Sequence, residues 1–149
     1  MTRLTEHFTL EEMVFSQMAT RMNIDNNPSE KEVDALRLLC QKILEPLRSK
    51  LATPIYVSSG FRSPTLNRAI GGSPTSQHMN GEAADINVPN LSPQELFDII
   101  RNSELPYDQL IQEFDDWVHV SFSKRNRREA IYAYHDKDKK VKYSKQKPD

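Results

Sequence analysis

Two short stretches of the sequence contain side chains that could bind a metal ion. His78 and Asp85 lie in residues 76–85, and His119 lies further along in residues 116–121. Two imidazoles and one carboxylate are the ligand set of a catalytic zinc site, in which three protein ligands leave one position for water. The donors favour zinc over other metals. The sequence therefore predicts one Zn²⁺ held by these three residues.

Alternation along two predicted strands places two of the ligands on one face of a sheet. In residues 82–88, Asp85 points away from the larger apolar side chains, and in residues 117–122, His119 does the same. If the two strands share a sheet, Asp85 and His119 can meet on the face that does not contact the core. His78 then approaches from the loop that leads into the first strand.

Hydrolysis at a zinc site also needs a general base beside the attacking water. Asp116, three residues before His119, is the predicted base. It precedes the strand, so alternation does not fix its direction and it can lean towards the metal. Asp115 and Glu113 are the alternatives.

Three further side chains are predicted to contact a substrate. Arg62 follows a predicted strand in a turn, and its planar guanidinium suits a carboxylate or a developing oxyanion. Ser76 and Gln77 come just before the first ligand. Gln77 could either donate to a substrate or hold the loop.

The elements that must position these residues begin with helices. Capping boxes of the form S/T-x-x-E mark three helix starts, at Thr9, Ser29 and Ser92. After Ser29, apolar residues recur at three- and four-residue spacing as far as Leu51, which predicts a long amphipathic helix. Pro46 lies inside this helix and should kink it or end its regular part.

Short strands follow the helices and predict the fold class. The candidates are residues 55–58, 82–88, 109–114 and 117–122, of which the last two form a hairpin. Because helices come first and no regular βαβ alternation appears, we expect an α+β fold. Its sheet should be small and mainly antiparallel, with the N-terminal helices packed on one face.

Charge divides the chain into two parts. Residues 124–149 contain ten of the 20 Lys and Arg residues and four of the 21 Asp and Glu residues, so their net charge is +6 and that of the remainder is −7. We expect a metal-binding domain at 1–123, followed by a basic extension that is a hairpin or partly disordered. The extension is either a solvated end or a segment that attracts an anionic polymer.

Composition excludes several classes of protein. The net charge of −1 argues against a nucleic-acid partner, and the single Cys40 excludes an intramolecular disulfide. No stretch resembles a signal peptide or reaches the length of a membrane span. We therefore expect a monomer, made in the cytoplasm, that does not insert into a membrane.

The metal-binding stretches resemble a family of zinc peptidases that cut the peptide stems of peptidoglycan. Its pattern, S-x-H-x-x-G-x-A-x-D followed by an acidic residue three positions before a final histidine, is similar to residues 76–85 and 116–119. Its S-G-[FY]-R-S segment resembles residues 59–63. The family comprises D-alanyl-D-alanine carboxypeptidases and dipeptidases and the L-alanyl-D-glutamate endopeptidases of phage endolysins, and it shares the fold of the hedgehog signalling domain.

The resemblance extends from about residue 8 to residue 122, and residues 8–13 and 117–121 are most similar to a phage and prophage branch. It implies that His78, Asp85 and His119 bind zinc, that Asp116 is the base and that Arg62 positions substrate or stabilises charge. Many members have glutamate where this chain has Asp116.

The activity that the resemblance implies is that of a phage-type L-alanyl-D-glutamate endopeptidase with peptidoglycan as its partner. The alternatives are a D-alanyl-D-alanine carboxypeptidase and a non-catalytic, zinc-stabilised module of the cell wall or virion. An enzyme of the phage type would be made in the bacterial cytoplasm without a signal peptide and would reach the wall through a holin pore or as part of the virion.

Overall fold

A mixed sheet organises the part of the chain that the structure, a computed structural model, describes, which is residues 2–149. In these residues the strands are β1 (Tyr56–Ser59), β2 (Ala83–Asn87), β3 (Gln109–Glu113), β4 (Trp117–Ser121), β5 (Glu129–His135) and β6 (Val141–Ser144). Their order across the sheet is β1-β2-β4-β3-β5-β6, and β3 pairs with β5 in parallel while the other pairs are antiparallel. The predicted α+β class with a mainly antiparallel sheet is confirmed.

Three of the helices in residues 2–149 start where the capping boxes predict. The helices are α1 (Leu10–Val14), α2 (Gln17–Arg21), α3 (Glu30–Leu39), α4 (Glu45–Leu51), α5 (Pro64–Ala69) and α6 (Pro93–Arg101). Thr9, Ser29 and Ser92 are the N-caps of α1, α3 and α6, and a reciprocal capping box with the glutamate three residues on is formed at each. The capping-box residues thus predict the starts of three helices correctly.

The long helix that begins with α3 is interrupted just before Pro46, as predicted. A π-helical turn, Cys40–Leu44, joins α3 directly to α4, and in it the Glu45 N–H donates to the Cys40 carbonyl five residues earlier. Proline has no N–H to donate and its ring clashes with the carbonyl four residues back. A wider π turn relieves this conflict, so the chain stays helical to Leu51.

The core lies between this long helix and one face of the sheet. Side chains from α3 to α4 pack against the core-facing residues of β2 and β4, and all of the following are fully buried: Leu36, Leu39, Ile43, Leu47, Ile86, Val118 and Val120. Burial of this apolar surface fixes the register of β2 and β4, because a shift by one residue would turn these side chains outward. The opposite face of the sheet carries Asp85 and His119.

Residues beyond 123 continue the sheet. The strands β5 and β6 form an antiparallel pair, and β5 adds to β3 in parallel register. Tyr132 on β5 is 3% exposed and packs against Phe97 of α6, with ring centroids 4.7 Å apart. The basic segment 124–149 therefore includes a strand, β5, that shares the core of the preceding residues. No helix in residues 2–149 is long and apolar enough to cross a membrane.

Candidate metal centre and cleft

The three predicted ligands meet on the sheet face opposite to the helices. Asp85 on β2 and His119 on β4 are direct cross-strand partners, and His119 Nδ1 lies 3.1 Å from Asp85 Oδ1. His78 comes from a 3₁₀ turn, Gln77–Asn80, and its Nε2 lies 3.3 Å from the same oxygen. All three side chains are buried, and their donor atoms lie within 4.8 Å of one another.

A backbone carbonyl orients the first imidazole. His78 Nδ1 lies 2.7 Å from the Gly60 carbonyl oxygen, so Nδ1 carries the proton and donates it, which leaves the lone pair on Nε2. Nε2 is buried and has no hydrogen-bond partner among the described residues. Metal-binding histidines usually have this arrangement, with one nitrogen donating to a carbonyl and the other facing the ion. The orphaned nitrogen and the donor set fit Zn²⁺.

The loop that carries His78 is shaped by its neighbours. Ser76 caps the 3₁₀ turn, since its hydroxyl accepts from the His78 N–H at 3.2 Å. Gly81 ends the turn with φ +71°, and a Cβ there would lie 2.5 Å from the Glu32 carbonyl oxygen of α3. Only glycine combines this backbone angle with so close an approach. The loop is thus pressed against the long helix, which fixes where His78 points.

Arg62 lies directly beside the carboxylate ligand. Its Nη2 is 3.5 Å from Asp85 Oδ2, its Nε donates to Ser59 Oγ at 3.1 Å and its Nη1 donates to Asn67 Oδ1 at 3.0 Å. These contacts hold the guanidinium within the protein and orient Asp85 by its second oxygen. Arg62 also lines the cleft described below.

The electrostatics of the cluster favour an ionised Asp85. Burial alone would raise the pKa of Asp85, but His78 and His119 beside it hold that pKa below its usual range. The carboxylate is therefore the negative charge around which the two imidazoles and Arg62 are arranged.

Glu113, and not Asp116, faces the cluster. Glu113 is the last residue of β3, it lines the cleft, and the Trp117 indole N–H donates to its carboxylate. Burial raises the pKa of Glu113, and the negative charge of Asp85 raises it further. Asp116, the predicted base, is exposed on the turn between β3 and β4 and is not among the residues that line the cleft. Asp115, the other alternative, is exposed on the same turn.

Alternation along β3 would have indicated Glu113. Ile111 pairs with His119 and Glu113 pairs with Trp117, so the odd-numbered residues of β3 and β4 share the face that carries the ligands. The prediction of Asp116 relied on its spacing from His119 and on the family pattern that this spacing resembles. A residue on a hairpin turn has no strand to set its direction, and here it points to solvent.

An open cleft of about 1050 Å³ surrounds the cluster. The residues that line it include Ser59, Arg62 and residues 70–73 and 75–78 on one side, and Gln109, Ile111, Glu113 and Trp117 along the sheet. Residues beyond 123 complete the lining, namely Arg125, Arg127, Ile131, Val141 and Tyr143. The cleft thus continues past the ligands in two directions, towards Gln77 and Arg127 and towards Glu113 and Tyr143.

A buried ionic network that the sequence did not reveal holds one end of this cleft. Asp108 is fully buried, and its carboxylate accepts from Arg127 Nε at 2.9 Å, Arg127 Nη2 at 3.1 Å, Ser123 Oγ at 2.7 Å and Gln77 Nε2 at 2.9 Å. Burial would raise the pKa of Asp108, but these hydrogen bonds, those of Arg127 first, hold it below its usual range. Gln77, predicted to contact substrate, is hydrogen-bonded within the protein and holds the loop before His78.

Comparison with known families identifies the family to which the chain belongs. A family model described as Peptidase M15 matches residues 6–121, which is most of the chain. The chain belongs to the peptidase M15 family. This is a family of zinc-dependent peptidases, and the buried cluster of His78, Asp85 and His119 could bind such an ion. The match ends before β5 and β6. A comparison with curated proteins gives no match.

Proposed function

We propose that this M15 peptidase hydrolyses an amide bond in the peptide stem of bacterial peptidoglycan. The observation that carries the proposal is the buried cluster of two imidazoles and one carboxylate at the floor of an open cleft. A cleft of about 1050 Å³ is large enough for several residues of a peptide. The resemblance of the metal-binding stretches to peptidoglycan peptidases supplies the substrate class.

The proposed division of labour follows from the geometry. His78, Asp85 and His119 would hold Zn²⁺, which when bound acts as a Lewis acid on the scissile carbonyl and makes water a stronger nucleophile. Arg62 keeps Asp85 in place. Glu113 takes a proton from the attacking water and delivers it to the leaving amine, and its raised pKa suits a group that must both accept and donate.

The specific form that we favour is an L-alanyl-D-glutamate endopeptidase of the phage type. Because the cleft extends on both sides of the ligands, a stem peptide can pass through it instead of ending at it. An endopeptidase needs that freedom, whereas a carboxypeptidase needs a closed end that receives the terminal residue. In this proposal the enzyme reaches the wall through a holin pore or as part of the virion.

Mass spectrometry of the products released from purified peptidoglycan tests the proposal. The digestion is run with the zinc-loaded protein and again after chelation. We expect zinc-dependent cleavage between L-Ala and D-Glu. Release of terminal D-Ala would instead make the protein a D-alanyl-D-alanine carboxypeptidase, and no release by a folded, zinc-loaded protein would favour a wall-binding or virion module.

A further inference from the structure

The cationic side chains that line the cleft differ in how far they are already paired. Among the described residues these are Arg62, Arg125 and Arg127. Arg62 is tied to Asp85, as described above. Arg127 is tied to the buried Asp108 through its Nε and its Nη2, and its backbone N–H donates to the same carboxylate at 2.9 Å. Two of the three guanidiniums are therefore already paired with carboxylates of the protein itself.

Arg125 is bound much more weakly to the carboxylates of the protein. Its closest approach to a carboxylate is 3.9 Å, from Nε to Asp108 Oδ2, which is beyond hydrogen-bonding distance. That oxygen already accepts from Arg127, Ser123 and Gln77. The side chain of Arg125 is 60% exposed. Because the carboxylate of Asp108 is already hydrogen-bonded by Arg127, Arg125 adds an accessible positive charge to this end of the cleft.

The backbone of Arg125 is nevertheless anchored to the metal centre. Its N–H donates to Ser123 Oγ at 3.2 Å, and the Ser123 hydroxyl donates to Asp108 at 2.7 Å. Asp108 in turn accepts from Gln77, the residue before His78. A short chain of hydrogen bonds therefore sets where Arg125 stands relative to the ligands, while its guanidinium stays accessible.

The other end of the cleft has the opposite character. Glu113, Ala133 and Tyr143 lie in one row across β3, β5 and β6, so their side chains share the cleft face. The small Ala133 leaves room above it, and Tyr143 lies close enough to Glu113 for that carboxylate to raise the pKa of the phenol, after the larger effect of burial. An anionic group would be repelled by Glu113 at this end and attracted by Arg125 at the other.

We infer that Arg125 is a specificity residue that binds a carboxylate of the stem peptide and so orients the substrate across the metal ligands. The inference rests on the proposed function. The carboxylates of stem peptides include the α-carboxylate of D-Glu and the terminal carboxylate, and a guanidinium can bind either one through two parallel hydrogen bonds. Arg125 lies outside the span that matches the family, so this recognition belongs to the chain's own C-terminal segment.

Calorimetry with a fragment that the enzyme does not cleave tests this separately from turnover. The probe is the peptide that starts at D-Glu, prepared with both carboxylates free, with the D-Glu α-carboxylate amidated, or with the terminal carboxylate amidated. The zinc-loaded protein is compared with Arg125→Gln and with Lys142→Gln. Lys142 pairs with Tyr134 on the opposite face of β6, so this control changes the net charge equally without touching the cleft.

We expect amidation of one of the two carboxylates to weaken binding by about 10- to 100-fold, the range for charge-assisted hydrogen bonds. Arg125→Gln should bind the free fragment as weakly as the wild-type protein binds that amide, and Lys142→Gln should keep the preference. The amidated peptide that binds more weakly identifies the carboxylate that Arg125 binds. The inference is overturned if Arg125→Gln keeps the preference, if it weakens the binding of all three peptides equally, or if the wild-type protein binds them equally. Failure of the proposed function would appear elsewhere, as a lack of cleavage of intact peptidoglycan.

Discussion

The two sides of the cleft are built on different principles. On the side of the metal centre, His78, Asp85 and Arg62 are all buried or nearly so and are held by hydrogen bonds to the protein. On the side of β6, Val141 and Tyr143 remain 47% and 60% exposed although they are large and apolar. One side is thus preorganised and the other presents free surface.

This difference separates chemistry from recognition. The residues that bind a metal ion and the residue that accepts a proton tolerate little movement. Burial together with satisfied hydrogen bonds keeps them rigid. Side chains that select a substrate need to be accessible, and they can vary without disturbing the reaction. The family match covers the first side and stops before β5 and β6, in agreement with this division.

The largest effect on activity should come from replacing Glu113, the proposed proton acceptor beside the metal centre. Glu113→Gln should lower kcat by about 10²- to 10⁴-fold while zinc stays bound, because the carboxylate is lost and the shape is kept. Asp116→Asn, three residues away on the exposed turn, should leave kcat close to that of the wild-type protein. Steady-state rates on peptidoglycan fragments, with the zinc content of each variant, provide the measurement. Equal rates for Glu113→Gln and wild type, or a collapse in Asp116→Asn, would reverse the assignment.

A backbone change behind the first imidazole should have the next largest effect. A Cβ at Gly60 would lie 2.2 Å from the Met13 carbonyl oxygen, so Gly60→Ala must move the carbonyl that orients His78. Loss of such a supporting contact typically weakens metal binding by about 10- to 100-fold, and we expect that range in a zinc competition titration. Gly71→Ala is the control, because it strains a backbone with φ +76° but meets no atom within 4 Å. Wild-type zinc affinity in Gly60→Ala would show that the carbonyl does not matter.

The Asp108 network should affect stability more than chemistry. Asp108→Asn leaves Arg127 without its carboxylate and should lower the free energy of unfolding by about 2 kcal/mol in urea titrations at neutral pH. Because the folded-state pKa of Asp108 is lowered, its contribution is present above the unfolded value of about 4 and is lost as pH falls below that value. The difference between wild type and Asp108→Asn should therefore shrink in acid. Asp34→Asn on the exposed side of α3 should show no such difference, and a constant gap down to pH 2 would argue against the ionic origin.

The smallest effect is expected on the exposed side. Tyr143→Ala removes an aromatic surface next to Glu113 and should raise KM a few-fold with little change in kcat, as loss of a contact made equally before and during the reaction would do. Tyr134→Ala is the matched control, since Tyr134 pairs with Lys142 and faces away from the cleft. A large fall in kcat for Tyr143→Ala would mean that β6 takes part in the chemistry, and the separation of the two sides would be lost.

Local signals were enough to predict much of this architecture. The capping boxes at Thr9, Ser29 and Ser92 depend on residues three apart, so the sequence shows both partners at once. Alternation within β2 and β4 likewise turned Asp85 and His119 away from the core. The interruption before Pro46 followed from a missing N–H, although its form as a π turn depends on the packing around it.

Features that depend on turns or on distant segments could not be predicted in the same way. Phe114 and Asp115 both adopt positive φ, 58° and 57°, in the tight turn after Glu113, and this turn directs Asp116 to solvent. The sequence predicted a hairpin here, but because neither residue is a glycine it did not indicate the left-handed backbone of the turn. In the Asp108 network, Gln77 lies well before Asp108 in the sequence and Arg127 lies well after it. Only the folded sheet brings the three residues together.

The metal content of the purified protein tests the central claim most directly. After zinc loading and removal of excess metal, elemental analysis should find one zinc per wild-type chain and essentially none in Asp85→Asn or His119→Ala, with circular dichroism showing that both variants remain folded. This is the result expected if His78, Asp85 and His119 form the metal site. A full equivalent of zinc in either folded variant would contradict the account, because the ion would then be held elsewhere.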